Sequence, residues 1–304
     1  MNILVTGISG YVGSLVAAGL ARDGHSVRGF ARHPERVRAG LPVVAGDAVS
    51  GAGLKRAMDG VEVAYYLIHS MEPAGGDPFA TRERTAAERF VEAAQNAGVQ
   101  RLVYLGGLVP EGGPASDHLA SRLEVERILL EGSPASVALR ASIVIGARSR
   151  SFRFLVHLVE RLPVLALPGW RDNVTRPIDE RDIVEMLVRC ASSDRVTGRS
   201  LDVGGPDVVS YGELIERIRA LMLVDRPTVG LGRLTVSPIA SRVAALIAGE
   251  QHELIGPLMD SLATDLLPRN DEAGELFHVK LHSLDAAIER SLREWEKTEE
   301  LAAR

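Results

Sequence analysis

The eight residues Thr6-Gly7-Ile8-Ser9-Gly10-Tyr11-Val12-Gly13 carry the sharpest chemical signal in this chain. They follow a short apolar run, NILVT (2–6), and open a stretch of helical periodicity over 11–22. A helix N-terminus presents backbone N–H groups with no intrahelical partner, and a diphosphate can lie against them only where no side chains intervene. Glycine at 7 and 10 permits that approach, and glycine at 13 lets the helix pack closely on the preceding strand. The pattern predicts dinucleotide binding by Thr6, Gly7, Ser9, Gly10, Tyr11, Val12 and Gly13.

Which dinucleotide is decided after the second apolar run. An acidic residue there would accept the ribose hydroxyls of NAD(H), but the chain reads Gly29-Phe30-Ala31-Arg32-His33-Pro34. A guanidinium suits a 2′-phosphate through charge and bidentate geometry, so Arg32 points to NADP(H), with NAD(H) as the alternative. Asp47, after Gly46, is placed either to accept a hydrogen bond from the adenine amino group or to cap a turn. Leu67, Ile68 and His69 close the fourth run, at the carboxyl edge where open α/β sheets bind ligands.

These residues need a sheet to position them. Runs at 2–6, 26–30, 42–46, 63–68, 101–105 and 136–140 read as strands, mostly apolar on both faces, and 11–22, 51–58, 78–97 and 116–131 read as helices between them. That alternation predicts an α/β fold: a Rossmann-type doubly wound parallel sheet with a smaller, mainly helical C-terminal lobe. The expected division is a nucleotide-binding domain over 1–150, with a returning strand near 199–205, and an interleaved substrate or partner lobe over 151–304. A further helix is expected near 180–191.

Composition narrows the function classes. Of 304 residues, 46% are hydrophobic and 25% charged, with six Phe, five Tyr and two Trp, so the core is aliphatic and an aromatic nucleic-acid platform is excluded. The net charge of −5 argues against nucleic acid and anionic membranes as partners. Basic residues are 32 Arg and only Lys55, Lys280 and Lys297, which leaves few lysines for catalysis. Cys190 reads as a core thiol, and no ligand spacing suggests a metal. No apolar run spans a bilayer and the chain opens directly on a strand, so the expectation is a cytoplasmic protein without a membrane partner.

The TGxxGxxG loop, the basic residue after the second strand, the Gly46-Asp47 pair, LRASIVIG at 139–146, Asp182 in PIDERDIVEML and the LDVGGPD turn together resemble the short-chain dehydrogenase/reductase superfamily. The closer likeness is to its atypical, NmrA-like NAD(P)H-binding branch, over roughly residues 1–205. Active members of the superfamily use a Tyr-x-x-x-Lys pair on the helix after the fifth strand, with a serine at the strand end. Here the five tyrosines are followed four places on by Leu15, His69, Ser70, Leu108 and Ile215, never by lysine. The resemblance puts His118 and Arg122 at the pair's positions and Gly106-Gly107 at the serine's, with Gly106 a candidate to border the cofactor.

His118 and Arg122, four apart on a helix, share a face. His118 is then the candidate proton donor, its pKa lowered by the guanidinium, and Arg122 the candidate contact to ribose or phosphate. Ile145, Phe152, Phe154, Trp170 and Arg171 are candidate walls for a small-molecule substrate, while Arg140 and Ser142 carry no assigned role. Two functions follow: an NADP(H)-binding oxidoreductase that reduces a small carbonyl or activated alkene by hydride transfer, or a non-catalytic NADP(H)-sensing protein with a protein partner.

Overall fold

In the computed structural model the described residues are all except 38–39, 69–78, 115, 163, 168, 226, 231–261, 300 and 302–304. Strands β1 (Asn2–Thr6), β2 (Ser26–Ala31), β3 (Val43–Ala45), β4 (Val63–Tyr66), β5 (Arg101–Gly107) and β6 (Val137–Ala141) alternate with helices α1 (Tyr11–Arg22), α2 (Leu54–Met58), α3 (Phe79–Asn96) and α4 (Asp117–Gly132). After β7 (Val144–Ile145), α5 (Arg150–Arg161), β8 (Leu165–Leu167), β9 (Val174–Thr175) and β10 (Ile178–Asp179), helix α6 (Glu180–Arg189) leads to β11 (Arg199–Val203). Then come β12 (Val209–Ser210), α7 (Tyr211–Leu221), β13 (Thr228–Gly230), α8 (Ala273–Leu276) and α9 (Leu284–Glu296).

Seven strands form one parallel sheet in the order β11-β6-β5-β4-β1-β2-β3. Side chains alternate across a strand, so residue parity decides which layer each one enters. Ile3, Val5, Tyr65, Val103, Leu105 and Leu139 meet α1 and α6, while Leu4, Ala64, Tyr66, Leu102, Tyr104 and Ala138 meet α2, α3 and α4. Both faces are buried by crossover helices, which explains why these strands read as continuous apolar runs.

Several boundaries shift by one to three residues from the sequence expectation, β4 ending at Tyr66 rather than 68 among them, and two of the shifts have plain local reasons. Helix α2 begins only at Leu54 because Gly51 and Gly53 hold φ of +77° and +82°, outside the helical region. Strand β5 runs on through Gly106 and Gly107 because both continue to pair with β6, opposite Arg140 and Ala141. The lobe has its own core, built from α5, α7 and α9 with Phe152, Phe154, Tyr211, Ile288 and Trp295 at its centre. Its extended segments pair in twos: β7 with β10, β9 with β12 and β8 with β13.

Arg101, at the start of β5, binds the end of α6 into the sheet. Its buried Nη1 donates to the carbonyls of Cys190 at 2.9 Å, Ala191 at 3.2 Å and Ser193 at 3.1 Å, and Nη2 to Thr197 at 3.1 Å. A guanidinium here satisfies carbonyls that a helix C-terminus leaves open and complements its dipole. Cys190 is fully buried beside it, and burial pushes its thiol pKa far up. Replacing Arg101 with Leu strands these carbonyls, and urea unfolding should register a loss of about 3 kcal/mol or more; an unchanged midpoint would show that they find other partners.

Candidate functional site

Backbone contacts shape the first turn. Gly7 has φ of +68°, and a methyl group there would overlap the Leu67 carbonyl oxygen; one at Gly13 would overlap the Gly7 carbonyl. Gly13 therefore does what its spacing predicts, letting α1 press onto the strand end. Gly10 donates its N–H to Gly7 O at 2.8 Å, and Ser14 N is the first amide to reach back into the helix, to Gly10 O at 3.1 Å. The N-cap is glycine with no side-chain hydrogen bond, so the amides of Tyr11, Val12 and Gly13 are left open, with exposed Ser9 and Gly10 in front of them.

Those residues border a cleft of about 750 Å³ at the carboxyl edge of the sheet. Ten of the sequence-derived candidates line it: Gly7, Ser9, Gly10, Tyr11, Val12, Gly13, Arg32, Asp47, Leu67 and Ile68. Arg32 follows the last residue of β2, and Asp47 occupies the corresponding bend after β3. Asp47 Oδ1 accepts from Ser50 N at 2.9 Å, so the carboxylate caps its turn while facing the cleft. The wall also contains Phe30, Ala31, Ala48, Val49, Arg82, Glu83, Leu105, Arg148 and Arg150, which sequence reasoning passed over. In a chain with 32 arginines, nothing in the residue type alone marks Arg148 or Arg150.

The remaining candidates stand elsewhere. Thr6 is buried; its hydroxyl donates to Tyr65 O at 2.9 Å and accepts from Leu67 N at 3.3 Å, tying β1 to β4. Gly106 lies behind the cleft, where a Cβ would meet the Tyr104 ring at 3.0 Å and the Glu126 carboxylate at 3.5 Å. In register with Gly106 are Arg140 and Asp202, and Arg140 forms a bidentate pair with buried Glu126, its Nη2 at 2.6 Å from Oε1. Ser142 donates to Arg176 O at 2.8 Å. His69 lies outside the described residues.

His118 is the second residue of α4, its ring 5.7 Å from that of Phe79. Arg122, 9% exposed, donates to Leu105 O at 3.0 Å, while Tyr104 donates its hydroxyl to Arg122 O at 3.3 Å. Neither His118 nor Arg122 is among the residues lining the cleft, so Arg122 acts in this structure as a strap from α4 to the end of β5. Of the candidate substrate walls, Ile145, Phe152, Phe154 and Trp170 belong to the buried core of the lobe, and Arg171 pairs with Asp172 at 3.2 Å.

A second polar node joins the nucleotide loop to the lobe. The Tyr11 hydroxyl donates to Glu180, and burial together with that carboxylate pushes the phenol pKa far up. Glu180 pairs with Arg290 of α9 at 2.8 Å, and Asp179, the N-cap of α6, lies 3.6 Å from the same guanidinium. A side chain at Gly146 would collide with both the Tyr11 hydroxyl and Glu180. Glycine at 146 is the condition for the node.

Burial first, and the Arg122 charge second, lower the His118 pKa from 6.5 to about 4. The imidazole is therefore neutral near pH 7. Because the folded pKa lies below the unfolded one, this group costs no stability above about pH 6.5, and stability falls as the pH drops toward 4 and the unfolded chain takes up the proton. Urea unfolding at pH 7 and pH 5 should show a smaller loss on acidification for His118→Gln than for the unsubstituted protein; equal losses would show that this ring is not desolvated.

No helix among the described residues is long and apolar enough to cross a membrane, and no group of three or more metal-ligating side chains occurs among them. Residues 7–142 match the family described as NAD(P)H-binding. An uncharacterized Mycobacterium tuberculosis protein is 30% identical over 263 residues, 86% of this chain, which spans only 27% of that protein's length. A (4-alkanoyl-5-oxo-2,5-dihydrofuran-3-yl)methyl phosphate reductase of Streptomyces griseus subsp. griseus is 30% identical over 219 residues, 69% of this chain and 70% of that one. The fold is shared with a short-chain dehydrogenase/reductase superfamily protein from Agrobacterium tumefaciens solved with bound NAD, at a TM-score of 0.71 and 20% identity, covering 98% of this chain and 99% of that one. The chain belongs to an NAD(P)H-binding family that the Streptomyces reductase shares, and its fold is that of the short-chain dehydrogenase/reductases.

Proposed function

We propose that this protein is an NADPH-dependent reductase of a small activated alkene or carbonyl compound, and that conjugate reduction is the reaction its residues suit best. The observation that carries the reading is the uncapped first turn of α1, whose Tyr11, Val12 and Gly13 amides open onto the cleft past glycine backbone. That cradle fits a diphosphate: the glycines leave room for it, the amides donate to it and the helix dipole favours its charge.

A dihydronicotinamide nucleotide bound there would supply the hydride. The protein's part is to hold and polarise. The open amides grip the diphosphate, Arg32 takes the adenosine 2′-phosphate, and the Asp47 carboxylate accepts the adenine amino group while keeping its bond to Ser50 N. His118, at the start of α4 outside the cleft lining and neutral near pH 7, serves a substrate that extends from the cleft toward α4, donating a hydrogen bond from its ring N–H to the carbonyl oxygen. Burial, with the Arg122 charge second, keeps the ring neutral, and Arg122 fixes α4 against Leu105.

Ketone reduction concentrates a full charge on oxygen and calls for a proton donor matched to neutral pH, the task of the Tyr-Lys pair this chain lacks. Conjugate reduction spreads the charge over oxygen and carbon. A neutral donor then suffices to stabilise it, and water can protonate the carbon. The Streptomyces relative is named for a 5-oxo-2,5-dihydrofuran bearing an alkanoyl group, a conjugated alkene of this kind, which supports the same substrate class.

Two measurements test this. In competition binding, NADPH should be preferred over NADH, and Arg32→Ala should weaken NADPH by about tenfold while leaving NADH unchanged; an unaltered preference would remove Arg32 from the reading. Across a panel of enones, butenolides, ketones and aldehydes, NADPH oxidation should be faster for the conjugated alkenes, with His118→Gln lowering kcat about tenfold or more. Tight NADPH binding with no oxidation on any member would instead favour a nucleotide-sensing protein.

A further inference from the structure

Four arginines, Arg32, Arg82, Arg148 and Arg150, and two acidic residues, Asp47 and Glu83, line the cleft in a chain whose net charge is −5. Arg148 and Arg150 are not explained by the amide cradle or by recognition of the 2′-phosphate. Both are exposed, and neither has an ion-pair or hydrogen-bond partner among the described residues. Elsewhere in the same stretch of chain the arginines are matched: Arg140 to Glu126, Arg153 to Glu299 and Arg161 to Glu160.

Their position is electrostatically unfavourable in the free molecule. Arg150 is the first residue of α5, after its N-cap Ser149, and the first turn of that helix contains no acidic residue. A cation at a helix N-terminus opposes the dipole, and two cations separated by one residue repel each other. The carboxylate at the Tyr11 hydroxyl, Glu180, is already held by Tyr11 and by Arg290. Arg148 lies with its guanidinium carbon 6.0 Å from the centre of the Tyr11 ring, so it borders the residue whose amide opens the nucleotide cradle.

We infer that Arg148 and Arg150 form a phosphoryl-binding pair on the lobe side of the cleft, facing the open turn of α1. A phosphoryl dianion between them relieves both the mutual repulsion and the conflict with the α5 dipole, and the guanidinium fork matches its oxygens. The inference rests on the nucleotide reading of the cleft. The phosphoryl group has two possible sources: the diphosphate of the nucleotide, or a phosphate ester on the substrate. The first makes the pair a second clamp on the cofactor; the second defines the substrate class as phosphorylated.

Calorimetry on the full chain separates them, using Arg148→Met and Arg150→Met, with Arg127→Met on the outer face of α4 as the charge control and thermal unfolding as the check on folding. If the pair holds the cofactor, NADPH and inorganic pyrophosphate should each bind about tenfold or more weakly to both variants, with a shallower salt dependence, and the control should match the unsubstituted protein. If it holds the substrate, NADPH affinity should be unchanged, and binding of inorganic phosphate to the protein–NADPH complex should be lost in both variants. Unchanged affinity for NADPH, pyrophosphate and phosphate in both variants overturns the pair. An unsubstituted protein that binds no nicotinamide nucleotide would instead sink the proposed function, and its pyrophosphate binding, compared with that of the variants, would still decide the pair.

Discussion

Main-chain atoms pack directly against main-chain atoms where the first turn meets the sheet, and the site depends on that contact. Gly7 lies against the Leu67 carbonyl and Gly13 against the Gly7 carbonyl, with no room for a Cβ at either place. The helix is thereby drawn to the strand end with its first three amides facing outward rather than into a side-chain cap. A partial positive charge left uncompensated at the edge of a buried sheet is a standing preference for an anion. The cleft around it is the complement of that preference.

Polar residues buried behind the cleft keep its floor in register. Thr6 joins β1 to β4, Arg122 joins α4 to β5, and Glu126 reaches Arg140 of β6 and Ser200 of β11, the latter at 2.6 Å. Each of these groups is satisfied by named partners, which is what burial of charge requires. The Tyr11–Glu180–Arg290 node does the same work between the nucleotide loop and the last helix. A ligand that engages the amides of the first turn therefore touches a residue whose side chain is fastened to the lobe.

Legibility in the chain follows the range of the interaction. Strands β1 to β6 and helices α1, α3 and α4 were readable because a parallel sheet sandwiched by helices writes its burial into consecutive apolar letters and short glycine punctuation. The lobe was less readable. Its extended segments pair over two or three residues each, with partners such as β8 and β13 far apart in the chain, and no local periodicity records such contacts. Arg122 illustrates the same limit: its spacing from His118 was plain, but the Leu105 carbonyl that receives its guanidinium belongs to a different element.

The sequence by itself determined the alternating α/β order, the position of the glycine loop between strand and helix, and the lack of a Tyr-x-x-x-Lys pair, since all three depend on neighbours within a few residues. Tertiary structure alone decided which side chains border the cleft, why Gly146 must lack a side chain, and that Arg148 and Arg150 reach the same wall as Arg32. Those outcomes depend on distances between segments from a few tens to more than a hundred residues apart, which only the packed sheet and lobe bring together.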